Sequence, residues 1–263
     1  MAVKLTGITL PENDGYKKLS DFQLLDFISA IPNSAGSALS DGLAGAYVFT
    51  EKNIDRTYNY ANKSLPLIQN GSPATEKKYS ELSLSSGYYD TQILPSDNLV
   101  VVALISPNAS QSGTGFIVSN YLRDESGSTI VSTGDSLMLA NRTLRPVAYQ
   151  SGNDTTNGVS MSAPAGDIVT AGLVINSQPA MTAFSFINGA SVNGGVTALT
   201  THTLKNRSYR IGAPYGVGSL SGFSGAVRIS AMLIYNRDIA ASAGLLTSIQ
   251  SWMTGDFADL IGL

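Results

Sequence analysis

The sequence predicts an all-β protein built as a sandwich of two antiparallel sheets. Three observations carry that prediction. The chain has 263 residues, is rich in Gly, Ser, Thr and Asn and sparing in Lys and Glu, which suits many short strands joined by turns. Two nearly continuous apolar runs, LVVVALI at 99–105 and IVTAGLVI at 168–175, read as strands buried on both faces. Asn188-Gly189 separates two strand-like runs within 181–192, the strongest short hairpin signal a sequence offers.

At this length the chain fits one large β domain, or one domain with a small appendage, and can bury a sizeable core without staples. Residues 1–44 differ from the rest. In the stretch 16–31, Leu19, Phe22, Leu25 and Ile28 recur at helical spacing, and Phe27 and Ile31 widen the stripe. Pro32 and a Ser/Gly/Ala-rich run end it. The division is therefore 1–44, an N-terminal segment with an amphipathic helix for attachment or oligomerisation, and 45–263, the sandwich domain. The plainer alternative is a helix packed on the sandwich or on a neighbour.

Along the domain, 46–50 is the first strand and 55–67 an early loop that leads into a Leu-x-Leu strand. Residues 80–92 follow, with Leu82 and Leu84 alternating, and then the central strand 99–105. Strands at 115–120 and 136–140 are separated by the polar turn 123–128. Strands at 146–149 and 158–161 flank the most polar loop, 150–157. After the hairpin, His202 lies in a polar stretch and is expected to be solvated. The run 210–238 closes the domain: a strand end, a loop with five glycines from Gly212 to Gly225, then a strand at 226–235. Alternation puts Val227, Ile229, Ala231, Leu233 and Tyr235 on one face of that strand. Asp238 is placed to cap a terminal helix, 239–253, that buries Ile239, Leu245, Leu246, Ile249 and Trp252 or Met253, with Gly255 as its C-cap.

The order of these signals resembles the concanavalin A-like, laminin-G-like jelly-roll family. The matching residues are Gly87-Tyr88-Tyr89-Asp90-Thr91, the Asn188-Gly189 hairpin, Ile211-Gly212, Phe223-Ser224-Gly225 and Ile234-Tyr235-Asn236-Arg237. The resemblance covers about residues 45–255. Two family features are absent: the Trp of the central strand, and the acid in the first turn of the last helix. The resemblance implies a jelly-roll sandwich with a short N-terminal and a C-terminal helix. As a whole the chain also looks like small tail fibre proteins of contractile-tailed phages. That implies a lectin-like receptor-binding protein of the virion, made in the host cytoplasm and directed at bacterial surface carbohydrate. Its partners would be the host polysaccharide and, through the N-terminal segment, other phage tail proteins. A homo-oligomer is expected, with a trimer favoured.

Composition excludes several classes. With no cysteine there is no disulfide framework, thiolate nucleophile or cysteine-ligated zinc. The net charge of −3 without a basic cluster argues against nucleic acid. Acids and a proline interrupt the N-terminus where a signal peptide needs an apolar core, and no run reaches transmembrane length. Catalysis finds little support, and no catalytic residue is assigned, although a carboxylate pair assembled from distant residues stays open. The single histidine, His202, would have to serve any triad, and no Gly-x-Ser-x-Gly elbow is present. Glycosidases of the resembled fold carry alternating carboxylates on one inner strand. Among Glu12, Glu51, Glu76, Glu81 and Glu125 only Glu12 has an acid two residues on. A polysaccharide depolymerase and a structural adaptor remain the alternatives.

Sugars are held by an aromatic face plus planar polar groups. The only Trp lies on the stripe of the last helix, so stacking falls to tyrosine. Tyr215 sits among the loop glycines, and Tyr149 borders the loop with Asn153, Asp154 and Asn157. Of the consecutive Tyr88 and Tyr89 one must face outward, and Tyr89 is the one assigned to the ligand. The candidate ligand set is thus Tyr215, Tyr149, Asn153, Asp154 and Tyr89. Calcium is the one cofactor that the resemblance allows, with Asp90, Asp97-Asn98 and Asn153-Asp154 as loop candidates. Ordinary turn residues are the competing reading of those positions.

Overall fold

The computed structural model describes residues 42–53, 55–107, 113–150, 155–164, 167–176, 180–187, 189–217, 220–238 and 244–263. Among these, two large antiparallel sheets face each other. The first has nine strands: β1 (Leu43–Val48), β3 (Ala74–Thr75), β4 (Ser80–Leu82), β6 (Leu99–Ile105), β14 (Val169–Asn176), β15 (Ala180–Ile187), β16 (Ala190–Asn193), β17 (Thr197–Ala198) and β20 (Val227–Tyr235). The second has eight: β2 (Ile68–Gly71), β5 (Gly87–Asp90), β7 (Thr114–Ser119), β10 (Ser136–Ala140), β11 (Thr143–Tyr149), β12 (Thr155–Asn157), β13 (Met161–Ser162) and β18 (Arg210–Ile211). A small third sheet joins β8 (Leu122–Asp124), β9 (Val131–Thr133) and β19 (Tyr215–Val217), with β19 parallel to β8. Two helices close the chain, α1 (Leu245–Thr254) and α2 (Asp256–Ile261). The expected N-terminal helix lies outside the described residues.

The chain crosses between the large sheets as it goes: β4 is in the first, β5 in the second, β6 in the first and β7 in the second. The central run behaves as its composition requires. Leu99, Val101, Ala103 and Ile105 of β6 join the core between the sheets, with Tyr47, Tyr89, Ile117 and Ile211. Val100, Val102 and Leu104 point the other way, into a second apolar layer under α1 and α2 that contains Ile249, Trp252, Met253 and Phe257. A strand covered on both sides cannot alternate apolar with polar. The expected hairpin is also present, with Ile187 paired to Ala190 and Gly189 at φ +78°.

Three expectations are corrected. Strand β20 does not keep one apolar face. Ile229 pairs with Ile105, but Ala231 pairs with Leu104, so Ser230 is an extra residue in a bulge. Val227, Ile229, Met232 and Ile234 therefore face the intersheet core, while Ala231, Leu233 and Tyr235 face the helices. The described helix begins at Leu245 after Gly244, so Asp238 is not its cap, and Ile239 lies outside the described residues. Gly255 does close α1, its N–H donating to the carbonyls of Ser251 and Trp252, and a further helix follows. Residues 55–67 contain no strand, and the next strand is β2, from Ile68. Asn59 orders the loop instead: its Oδ1 accepts from the Ala46 and Ala61 amides at 3.1 and 3.0 Å, and its Nδ2 donates to the Leu65 carbonyl.

A third cluster lies on the outer face of the second sheet. Phe116, Tyr121, Met138 and Val147 pack there under Phe223, whose ring meets Phe116 edge-on at 5.2 Å. The loop with Phe223 and the small sheet thus cover part of that face. Tyr215 of the small sheet reaches on to the side chains of β5 and β18.

Candidate functional site

The glycines of the closing segment set the geometry. Gly212 follows β18 at φ +98°, and a Cβ there would lie 2.5 Å from the Leu82 Cβ. Gly225 passes within 2.7 Å of the Gly115 backbone measured the same way. Only glycine fits either place. The Gly212 turn sends the chain out of the second sheet and into β19, which brings Tyr215 back over the outer face of β18 and β5.

On that face Arg210 stands directly opposite Asp90 in register, and Tyr88 precedes Asp90 by two residues on the same side. The Arg210 guanidinium lies 3.5 Å from the centroid of the Tyr215 ring and 4.9 Å from that of Tyr88. Its Nη1 donates to the Pro214 carbonyl at 3.0 Å, and its Nε is 3.9 Å from Asp90 Oδ2. Asp90 accepts from the Ser208 hydroxyl at 2.6 Å and the Gln92 amide at 2.9 Å. The Tyr215 hydroxyl is 3.3 Å from Asp90 Oδ2 and 3.1 Å from the Ser208 carbonyl. Burial pushes the Tyr215 pKa up, so the phenol stays a donor at neutral pH. Arg210 and Asp90 keep 20% and 18% of their side-chain surface exposed, so the edge of the cluster is open to solvent.

Residues 199–208 lead into β18 and tie this cluster to the neighbourhood of Tyr149. The Thr203 amide donates to the Tyr149 carbonyl, and Lys205 Nζ sits 4.3 Å over the Tyr149 ring. Arg207 Nε donates to the Asn120 carbonyl at 3.1 Å, and its Nη2 donates to the carbonyl and hydroxyl of Thr133. Between these points lies Asp135, 1% exposed. It accepts from His202 Nε2 at 3.0 Å, from the Tyr149 amide at 3.2 Å and from the Tyr209 hydroxyl at 3.3 Å.

His202 is therefore not solvated: its side chain is 6% exposed and paired with Asp135. Burial alone would lower its pKa, but the Asp135 carboxylate outweighs burial and raises it. The sequence hides this pair because its members are 67 residues apart.

The other expected site residues fare differently. Tyr215 and Tyr149 are half-buried, and each has a cation over its ring. Asn153 and Asp154 lie outside the described residues. Tyr89 is corrected: it is 2% exposed and its ring stacks on Phe49 at 5.3 Å in the intersheet core, so Tyr88 is the outward member. Arg207 and Arg210 escaped the sequence reading. Their signal was Lys205-x-Arg207-x-x-Arg210, a short basic run in a chain of net charge −3. Asp90 is committed to the cluster, and no group of three or more His, Cys, Asp or Glu is gathered for a metal among the described residues. Between the Gly189 turn and α1, Trp252 lines a cleft of about 570 Å³. Trp252 is only 7% exposed and its ring stacks on Phe257, so it offers little open face.

No family model matches the chain, and no curated protein does. Solved structures do. A Trypanosoma rangeli sialidase in complex with sialic acid superposes with a TM-score of 0.57 at 16% identity, over 92% of this chain and 38% of that one. The binding domain of botulinum neurotoxin DC in complex with SialylT gives 0.52 at 12% identity, over 80% of this chain and 52% of that one. The same domain with rat synaptotagmin II gives 0.53 at 13%. The fold is a jelly-roll sandwich of two antiparallel sheets. At these identities the likeness is one of fold, and the chain spans between 38% and 52% of the length of these structures. No described helix is long and apolar enough to cross a membrane.

Proposed function

We propose that this chain is the carbohydrate-binding part of a receptor-binding protein of the phage tail fibre kind, and that it recognises bacterial surface polysaccharide. One observation carries the reading. Tyr88, Arg210, Tyr215 and Asp90 bring aromatic rings and planar polar groups together at a partly exposed edge of a lectin-like sandwich. The fold alone would not suffice, since one fold hosts many functions. The matched sialidase in complex with sialic acid and the neurotoxin binding domain in complex with SialylT agree with carbohydrate recognition.

Assembly into a virion rests on the sequence. The amphipathic stretch 16–31 ahead of the β domain supplies an attachment or oligomerisation segment, and a homo-trimer is the favoured form. Hydrolysis gains no support from the described glutamates. Glu81 is held by Arg228 at 2.8 Å, Glu125 by Arg123 at 2.5 Å, and Glu51 and Glu76 are exposed singly.

Binding of the full chain to a bacterial glycan array, with product analysis on every glycan bound, tests the reading. Retention of intact glycan is expected. Release of oligosaccharides would replace it with the depolymerase reading, and failure to bind any glycan or bacterial surface would leave a structural adaptor.

A further inference from the structure

We infer that the carbohydrate bound here is anionic, and that Lys205 and Arg210 take its carboxylate or phosphate groups. The inference rests on the carbohydrate reading and adds the charge of the ligand. Six consecutive residues, 205–210, carry Lys205, Arg207 and Arg210 and no acid. Each of the three cations lies over a tyrosine ring, at 4.3, 5.8 and 3.5 Å from the centroid. The rings fix the cations without neutralising them.

Their hydrogen bonding shows which cation is spare. Arg207 is committed to the backbone of Asn120 and Thr133 and acts as a strut. Arg210 uses Nη1 on a carbonyl, and its Nη2 donates to no described residue. Lys205 has the Tyr149 ring as its contact among the described residues. The nearby acids offset only part of this charge, since Asp90 pairs with Arg210 while Lys205 faces a ring. Asp135 is buried against His202, and Asp90 is shared among Ser208, Gln92 and Tyr215, 3.9 Å from Arg210. With its central carbon 3.5 Å from the Tyr215 centroid and 4.9 Å from that of Tyr88, the Arg210 guanidinium is fixed in place and keeps Nη2 as a charged donor for a carboxylate or phosphate oxygen. Lys205 and Arg210 are five residues apart, no more than about 18 Å along the chain, a span that neighbouring charged residues of one oligosaccharide can bridge.

Titration calorimetry of the full chain tests this with three probes: an oligogalacturonate, its carboxyl-reduced neutral counterpart, and a phosphorylated mannose oligosaccharide. Binding of at least one anionic probe about tenfold tighter than the neutral one is expected, with affinity falling as salt rises. Which anion binds separates carboxylate from phosphate. Arg210→Gln should abolish the preference and Arg210→Lys should keep part of it. If Arg210→Gln melts early, Lys205→Gln, which loses only a ring contact, should still lower anionic binding several-fold. Equal affinity for charged and neutral probes would overturn the inference and leave the carbohydrate reading standing, as would a preference unmoved by both the Arg210 and Lys205 variants. Failure to bind any of the three overturns it too, and the glycan array then decides the broader reading separately.

Discussion

Asp135 and His202 show how much a single buried pair can hold. The pair joins the start of β10, the end of β11 and the segment that leads into β18. Because the folded His202 pKa is raised, its contribution is complete below about pH 6.5, the ordinary histidine value. It is lost as pH rises through the folded pKa. The melting temperature should therefore decline above pH 6.5 in the natural chain, and His202→Gln should flatten that decline. A profile of identical shape in the variant would remove the pair from the stability account. Tyr88 and Tyr89 form a second residue-scale test. Tyr89→Ala should cost about 3–5 kcal/mol in urea unfolding, as loss of a large buried ring does. Tyr88→Ala should leave stability much closer to that of the natural chain and weaken glycan binding. Reversed effects would mean that the strand is out of register by one. Neighbouring tyrosines look alike in a sequence, and only the register of β5 on β18 decides which one is core. Tyr215, which the sequence places among the loop glycines, is tied into the cluster. Its hydroxyl and ring hold Ser208, Asp90 and Arg210 together, so Tyr215→Ala should lower stability as well as binding.

Among the elements, β20 teaches the most. Its composition announces a buried strand and its place in the order announces the fold, but its faces are set by one extra residue. Ser230 is fully buried and its hydroxyl has no hydrogen-bond partner among the described residues. Ser230→Ala should therefore leave the melting temperature unchanged or raise it, since a buried unpaired hydroxyl is unfavourable. Deleting Ser230 should leave a folded protein, because Ile229 and Ala231 then follow each other on opposite faces and Ala231, Leu233 and Tyr235 stay toward the helices; circular dichroism of the purified variant reads both outcomes. An unfolded deletion would show that the bend of the bulge, and not only its register, is needed. The terminal helices pack on the same strand. They cover the outer face of β6 and β20, so Ile249→Ala should cost about 2–5 kcal/mol although no second sheet touches it. The stripe of Leu245, Leu246, Ile249, Trp252 and Met253 was legible in the sequence. The bulge was not, since nothing in the run VRISAMLIY distinguishes Ser230 from its neighbours.

At the scale of the whole molecule, light scattering of the full chain should report a homo-oligomer, with a trimer favoured; a strict monomer would count against the fibre reading. Composition, the doubly apolar run of β6, the Asn188-Gly189 turn and the ordered Ile-Gly, Phe-x-Gly and Tyr-Asn-Arg signals determined the sandwich from the sequence alone. They could do so because burial periodicity and turn chemistry are local properties of the chain. The sequence also singled out Tyr215 and Tyr149, since aromatics beside glycine-rich or polar loops are visible without contacts. What only the tertiary structure decided was pairing: Asp135 with His202, Arg210 with Asp90 between Tyr88 and Tyr215, and Tyr89 turned inward. These partners lie far apart along the chain and meet only when β5 and β18 lie side by side. Whether a charge is buried, paired or spare depends on distances that exist only after that meeting.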